Sequence, residues 1–151
     1  MAKKKKSGQV KAGRFVLDSS ITLSWAFEDE TDAYAEAVAD SLPGKQAVIP
    51  ALWRLEVANA LQSAIRRKRI TAPYRDHSLA ELTKLPITID ADTNVYAWTT
   101  TLRLAERFAL TIYDSAYLEL AQRRSLPLAT LDAELREAAA ALGITLLGLQ
   151  V

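Results

Sequence analysis

Two aspartates follow short apolar runs at points where strands would end. Asp18 comes directly after the apolar residues 15–17, and Asp132 comes directly after residues 128–131. Because buried parallel strands deliver the residues that follow them to the carboxyl edge of a sheet, both carboxylates are expected at that edge. Each could instead cap the helix that follows it, since Asp is a preferred helix N-cap.

Two further acids interrupt apolar helical stretches. Glu56 lies within LWRLEVANAL, residues 52–61, and Asp114 lies within TIYDSAYL, residues 111–118. An unpaired carboxylate facing the protein interior is costly, so each needs a cation or hydrogen bonds. The structural alternatives are a helix N-cap for Asp114 and, for Glu56, an edge position paired with Arg54 or Arg67.

The chemistry of four such acids together is that of a metal site. Carboxylates brought close to one another repel strongly unless a cation lies between them. Mg²⁺ and Mn²⁺ prefer oxygen ligands and would supply that charge. Sites of this kind hydrolyse phosphodiester bonds, because the ion activates water and neutralises charge on the phosphate. One or two divalent ions are therefore predicted.

The elements that position these acids belong to one α/β domain over residues 15–151. Apolar runs of strand length alternate with amphipathic stretches of helix length, which predicts a three-layer fold with a central parallel sheet of about five strands and helices on both faces. The predicted strands are 15–18, 47–50, 86–90, 126–131 and 144–149. The predicted helices lie near 20–27, 31–42, 51–69, 73–85, 92–109, 113–124 and 133–142.

One predicted helix, residues 92–109, carries an apolar stripe. Its members recur every three or four residues: Val95, Trp98, Leu102, Ala105 and Ala109. This spacing places them on one helical face, which is predicted to pack into the core.

Composition excludes several kinds of site. There is no cysteine, and His77 is the only histidine, which excludes disulfides, thiolate catalysis and the common zinc sites. No apolar run is long enough for a membrane span or a signal peptide, so a cytoplasmic protein is expected. Residues 1–14 hold six Lys and Arg and no acid, leaving 13 basic and 18 acidic residues elsewhere. This basic extension is expected to be disordered, or to act as a loose phosphate-binding arm.

Four segments resemble, in order and spacing, the acidic motifs of PIN domains, and particularly those of VapC-type toxins. They are VLDSS at 16–20, LEVANAL at 55–61, LTIYDSAYLELA at 110–121 and LATLD at 128–132. The resemblance implies metal binding by three aspartates: Asp18, Asp114 and Asp132. It implies that Glu56 completes the acidic site and positions or deprotonates the attacking water. It implies supporting roles for Ser20, Asn59 and Thr130.

The same resemblance implies an endoribonuclease with specific partners. Its substrate would be structured RNA such as transfer or ribosomal RNA, its inhibitor a cognate antitoxin, and its assembly a homodimer. Trp25, Phe27 and Trp53 belong to helices that border the groove in which VapC-like proteins receive the antitoxin, although core packing is the favoured interpretation for all three. The lysine-rich extension departs from the usual pattern, because VapC-type chains begin almost at the first strand.

Three alternatives remain at this stage. The chain could be a PIN-domain RNA-processing nuclease that is not a toxin, or a non-catalytic module that binds RNA or protein and uses its acids as helix caps. An aspartyl-phosphate phosphotransferase is disfavoured because Ser20 stands where that chemistry usually needs a second aspartate.

The cationic run 66–69 could contact phosphate or simply complement the end of a helix.

Overall fold

The computed structural model describes residues 13–148, and its centre is a four-stranded parallel sheet. In chain order the strands are β1 (Gly13–Leu17), β2 (Lys45–Ile49), β3 (Ile87–Ile89) and β4 (Leu128–Ala129), and their order across the sheet is β3-β2-β1-β4. The last three residues of β1 and of β2 are buried in succession, which is why these strands read as continuous apolar runs. The predicted α/β fold with a parallel sheet is confirmed.

The last predicted strand, residues 144–149, is reduced to one parallel bridge between Leu128 and Leu146. The Leu128 N–H donates to the Thr145 carbonyl at 2.9 Å, and the Leu147 N–H donates to the Leu128 carbonyl at 2.9 Å. This segment therefore lies beside β4, at the edge of the sheet, without forming a regular fifth strand within residues 13–148.

The chain changes direction across the sheet at β1. It runs outward from β1 to β2 and β3, and it then returns to place β4 on the other side of β1. Leu17 pairs with Ala129, and the Asp18 N–H donates to the Ala129 carbonyl at 3.0 Å. The residues that follow β1 and β4 consequently meet at the carboxyl edge, at the switch in strand order where ligands of α/β proteins usually bind.

Seven α-helices flank the sheet within residues 13–148. They are α1 (Ser19–Ala26), α2 (Ala33–Ser41), α3 (Trp53–Arg66), α4 (Ala72–Thr83), α5 (Thr100–Phe108), α6 (Ile112–Arg124) and α7 (Ala133–Ala141). Short 3-10 helices lie at Glu28–Glu30, Leu42–Gly44 and Thr93–Val95. Helix α6 packs against β1, α5 and α7, so it lies next to the strand that ends at Asp18. None of the described helices is long and apolar enough to cross a membrane.

The predicted helix over residues 92–109 is wrong in its first half. A 3-10 turn and an irregular segment precede α5, and Thr99, with φ −120° and ψ −98°, interrupts the helical spacing. The predicted core stripe is therefore exposed at four of its five positions: Val95 (66%), Trp98 (90%), Leu102 (41%) and Ala109. Only Ala105 is buried, inside α5.

Three helices end on non-glycine residues in the left-handed region. Lys68 follows α3 at φ 58°, Ala109 follows α5 at φ 53°, and Ser125 follows α6 at φ 52°. Gly143, after α7, has the same sign of φ at 71° and is the residue type that such a position favours. The first three therefore carry a backbone cost that glycine would avoid.

Two arginines near helix ends, Arg69 of the predicted cationic run and Arg123 at the end of α6, have partners within the fold. The Arg69 guanidinium lies 3.1 Å from Asp29. The Arg123 guanidinium donates to Asp90 and to Glu119, each at 2.6 Å, and both of these carboxylates are buried. Arg123 thus ties the end of α6 to the end of β3, and its charge is neutralised inside the protein.

The three aromatic residues near the predicted antitoxin groove belong mainly to the core. Phe27 and Trp53 are 5% and 4% exposed, and the Trp53 indole donates to the Thr22 hydroxyl at 3.2 Å. Trp25 is half-buried and donates to the Ala35 carbonyl at 2.6 Å. The core interpretation is confirmed for Phe27 and Trp53.

The predicted basic extension, residues 1–14, lies outside the described residues except for Gly13 and Arg14, which begin β1.

Candidate active site

Asp18 is the most enclosed of the four predicted acids. It follows β1, is 4% exposed, and precedes α1 without a side-chain capping bond. Its Oδ2 accepts hydrogen bonds from the Ser20 hydroxyl at 2.5 Å and from the Thr130 hydroxyl at 2.7 Å. Burial raises the pKa of Asp18, the two hydroxyls oppose that rise, and the negative charge of Asp114 adds to it. Asp18 therefore occupies the N-cap position of α1 but does not cap the helix through its side chain.

Ser20 and Thr130 form a small network that joins the ends of β1 and β4. Ser20 Oγ accepts from the Leu131 N–H at 3.0 Å, and Thr130 Oγ1 accepts from the Asp132 N–H at 3.1 Å. The two hydroxyl oxygens lie 3.3 Å apart, but each has a single hydrogen and directs it to Asp18. Both hydroxyls therefore act as donors to one carboxylate oxygen, which favours its ionised form.

Glu56 lies in the first turn of α3 and is half-buried. Its Oε1 accepts a hydrogen bond from the Tyr117 hydroxyl at 2.6 Å. Within the described residues, Glu56 does not form the alternative ion pair with Arg54 or Arg67. Burial raises the pKa of Glu56, and the charges of Asp18 and Asp114 raise it further, against the opposing effect of the Tyr117 hydrogen bond. Glu56 is therefore a carboxylate held in a negative environment rather than a surface ion-pair partner.

Asp114 is the third residue of α6, and the cap of that helix is Thr111, whose hydroxyl accepts from the Asp114 N–H at 3.0 Å. The predicted alternative of a cap role for Asp114 is wrong, because Thr111 fills that position. The Asp114 carboxylate is half-buried, and burial is the main cause that raises its pKa. The negative charge of Asp132 raises this pKa further, and that of Glu134 adds a smaller rise.

Asp132 does act as a cap. Its Oδ1 accepts from the Leu135 N–H at 2.9 Å at the start of α7, and the side chain is half-buried. A cap bond occupies one carboxylate oxygen and leaves the charge in place, which is why Asp132 still acts on the pKa of Asp114. The structural and functional interpretations of this residue are compatible.

The four acids thus share one edge of the sheet and influence one another electrostatically. Asp114 raises the pKa of both Asp18 and Glu56, and Asp132 raises that of Asp114. Over residues 13–148, no three acidic or histidine side chains lie close enough together to hold a metal ion in their present rotamers. The donor set is all oxygen, and burial, followed by neighbouring carboxylate charge, raises the pKa of Asp18, Glu56 and Asp114. Its chemistry fits Mg²⁺ or Mn²⁺, with side-chain adjustment needed to close the ligand shell.

One predicted supporting residue, Asn59, does not contact the acids through a hydrogen bond, and two residues that do act on them, Tyr117 and Glu134, were not predicted. Asn59 is exposed on α3 and makes no hydrogen bond to the acids in the described structure. Tyr117 was missed as a site residue, although it lies one helical turn after Asp114 and so shares its face. Glu134, two residues after Asp132, contributes charge that no motif indicated.

Comparison with known proteins decides the family. Residues 15–141 match the PIN domain, a stretch that contains all four acids and most of the chain. The chain belongs to the PIN domain family. PIN domains are nucleases that generally use divalent metal ions, so membership agrees with the chemistry of the carboxylate site. No curated protein sequence matches this PIN domain.

Three solved structures share the fold of this PIN domain. PAE2754 from Pyrobaculum aerophilum is 23% identical, with a TM-score of 0.62 over 84% of this chain and 85% of that one. A toxin-antitoxin complex from Klebsiella pneumoniae is 18% identical, with a TM-score of 0.52 over 78% and 86%. VapBC2 from Rickettsia felis, bound to a DNA fragment from its promoter, is 13% identical, with a TM-score of 0.58 over 91% and 99%.

Proposed function

We propose that this PIN domain is a magnesium- or manganese-dependent endoribonuclease and the toxin of a toxin-antitoxin pair. The observation that carries the proposal is that Asp18, Glu56 and Asp114 lie near enough to one another to interact electrostatically, each with a pKa raised by burial and by neighbouring carboxylates. Such mutual repulsion is costly in a purely structural role, and a divalent cation relieves it.

In this proposal three aspartates bind the metal ion, and Glu56 acts as the base. Asp18, Asp114 and Asp132 would hold the divalent ion, which supplies a polarised phosphate and a more acidic water when bound. Ser20 and Thr130 keep Asp18 oriented toward the site through their two hydrogen bonds. Glu56, whose pKa is raised toward the working range of a base, would accept the proton of the attacking water.

The proposed substrate is structured RNA, such as transfer or ribosomal RNA. The resemblance of the four acidic motifs to those of VapC-type toxins supports this choice of substrate. The described part of the chain is rich in acids, so attraction to phosphate would have to come from local cations and from the basic residues that precede β1.

An antitoxin is the proposed inhibitory partner. Two of the structures that share this fold are toxin–antitoxin assemblies by name. Between α3, α4 and β3 this chain has an open groove of about 260 Å³, lined mainly by apolar residues: Trp53, Val57, Leu79, Leu82, Leu85 and Ile87. A groove of this kind suits the apolar face of a partner helix.

A homodimer is the proposed assembly. The structure exposes several large apolar side chains near the ends of α3, α5 and α6, including Leu55 (74%), Trp98 (90%) and Tyr113 (63%). Leu55 and Tyr113 are sequence neighbours of Glu56 and Asp114. Exposed apolar groups gathered beside a site commonly mark a protein interface.

The test is cleavage of folded transfer and ribosomal RNA by the purified chain, with Mg²⁺, with Mn²⁺ and with a chelator. We expect new RNA ends only with metal, and we expect Glu56→Gln to lower the rate by about two orders of magnitude or more. Glu106→Gln, an exposed glutamate on α5, is the matched control and should retain activity.

Calorimetry provides the second arm of the test. The Asp18→Asn, Asp114→Asn double variant should lose most of its Mn²⁺ affinity, because two ligand charges are removed at nearly constant shape. Unchanged affinity would refute the metal-site assignment. Metal-independent RNA binding without cleavage would instead favour the non-catalytic module, and mapping of RNA ends in cells distinguishes a toxin from a processing enzyme.

A further inference from the structure

Tyr117 has the features of a permanent hydrogen-bond donor. Its side chain has no solvent exposure, although it lies on the same face of α6 as Asp114. Burial raises the pKa of its phenol far above the usual range, and the nearby charges of Glu56 and Asp18 raise it further. The hydroxyl therefore keeps its proton at neutral pH and can donate it to a neighbouring acceptor.

That single proton is directed to one atom of the site. The Tyr117 hydroxyl donates to Glu56 Oε1 at 2.6 Å, while a hydrogen bond from Ser19 partly opposes the rise in its pKa. An ionised carboxylate has no hydrogen to donate, so Tyr117 is the donor of this bond when Glu56 is ionised. The short length is typical of a donor facing an ionised carboxylate.

The bond has a directional consequence for Glu56. The hydrogen bond from Tyr117 lowers the basicity of Oε1, so Oε2 is the favoured oxygen for a proton taken up by Glu56. The bond also links the first turn of α3 to α6, the helix that carries Asp114. A flexible glutamate side chain is thereby restricted to orientations in which Oε1 meets Tyr117.

We infer that Tyr117 is a positioning residue that fixes the Glu56 carboxylate through Oε1 and leaves Oε2 as the oxygen that exchanges protons during the reaction. The inference rests on the proposed function, in which Glu56 acts as the base. It assigns to Tyr117 no contact with RNA or metal, so its effect passes entirely through Glu56.

Four proteins test this assignment: wild type, Tyr117→Phe, Glu56→Gln, and the double variant. Single-turnover cleavage with Mn²⁺ and excess enzyme is followed over a range of enzyme concentrations. Tyr117→Phe should lower the maximal rate by about 10- to 100-fold, the scale of a misplaced catalytic group, while the half-saturating concentration stays unchanged. In the Glu56→Gln background, the same substitution should have almost no effect, because the group that it positions has lost its role.

Tyr74→Phe is the matched control. Its hydroxyl also donates inside the protein, to the Ala26 carbonyl at 2.5 Å, and within residues 13–148 it donates to no carboxylate. This variant should cleave at the wild-type rate. A spectroscopic readout independent of activity is the protected phenolic proton of Tyr117 in metal-free protein, assigned by its loss in Tyr117→Phe. Its resonance should shift in Glu56→Gln, because the acceptor loses its charge.

The outcomes separate the two claims. Equal rate losses from Tyr117→Phe in both backgrounds, or a phenolic resonance that Glu56→Gln leaves in place, would overturn the positioning role while leaving the nuclease proposal intact. Wild-type protein that cleaves no RNA with either metal would overturn the nuclease proposal and the inference together.

Discussion

Thr130→Val tests the network that holds Asp18, because valine keeps the shape of threonine and removes only its hydroxyl. The Thr130 hydroxyl is fully buried, donates to Asp18 at 2.7 Å and accepts from the Asp132 N–H at 3.1 Å. Loss of a hydrogen bond to a charged group costs about 1.5–3 kcal/mol. The Asp132 amide also loses its acceptor, which adds about 1 kcal/mol at a half-buried position that water can reach.

The expected net loss in the free energy of unfolding is about 2–4 kcal/mol, with Asp18 still bound by Ser20. For a domain of this size, each kcal/mol corresponds to about 2–4 °C, so we expect the melting temperature to fall by about 4–16 °C. Urea unfolding and thermal melting at neutral pH, both in the presence of a chelator, measure this loss.

Ser115→Ala is the matched control for Thr130→Val. Ser115 is also fully buried, but its hydroxyl has no hydrogen-bond partner among the residues that the structure describes. Removal of an unsatisfied hydroxyl should be neutral or slightly stabilising. The reasoning fails if Thr130→Val melts within a degree or two of wild type, or if both substitutions are equally destabilising.

Two further predictions concern pH and backbone strain. The pKa values of Asp18, Glu56 and Asp114 are raised by folding, so their ionisation destabilises the metal-free protein, and that cost is relieved as pH falls through the folded pKa values. The melting temperature in chelator should therefore rise as the pH is lowered from neutral toward these raised pKa values, and Asp18→Asn should flatten the rise; a steady decline on acidification would contradict this. Ala109→Gly should stabilise the protein by about 0.5–1 kcal/mol in urea unfolding, whereas Gly143→Ala should destabilise it by a similar amount, and an equal sign for both would contradict the assigned strain.

The positions of Asp18 and Asp132 could be predicted because strand ends are visible in the sequence. The apolar run of β1 ends at Asp18, and a parallel sheet leaves one place for the residue that follows. The contacts of those acids could not be predicted in the same way. Tyr117 reads as an apolar position on α6, and only the path of α3 reveals that its hydroxyl reaches Glu56.

The errors came from local breaks that hydrophobic spacing does not register. The apolar stripe that begins at Val95 keeps helical spacing across Thr99, whose backbone is not helical, so Trp98 was assigned to the core and lies almost fully exposed. At Asp132 the sequence could not separate a helix cap from a site acid, because one aspartate has both roles. The pattern that predicts a cap does not exclude a function in the site.

The pairing of β1 with β4 makes the site depend on the shortest strand of the sheet. Only two residue pairs join these strands, Val16 with Leu128 and Leu17 with Ala129, whereas four join β1 to β2. Segments with few backbone hydrogen bonds open at lower free energy than the whole domain. Fraying of β4 would carry Thr130 and Asp132 away from Asp18 while the rest of the sheet stayed folded. Heat inactivation should consequently precede global melting, and backbone amides of β4 should exchange with solvent before those of β2.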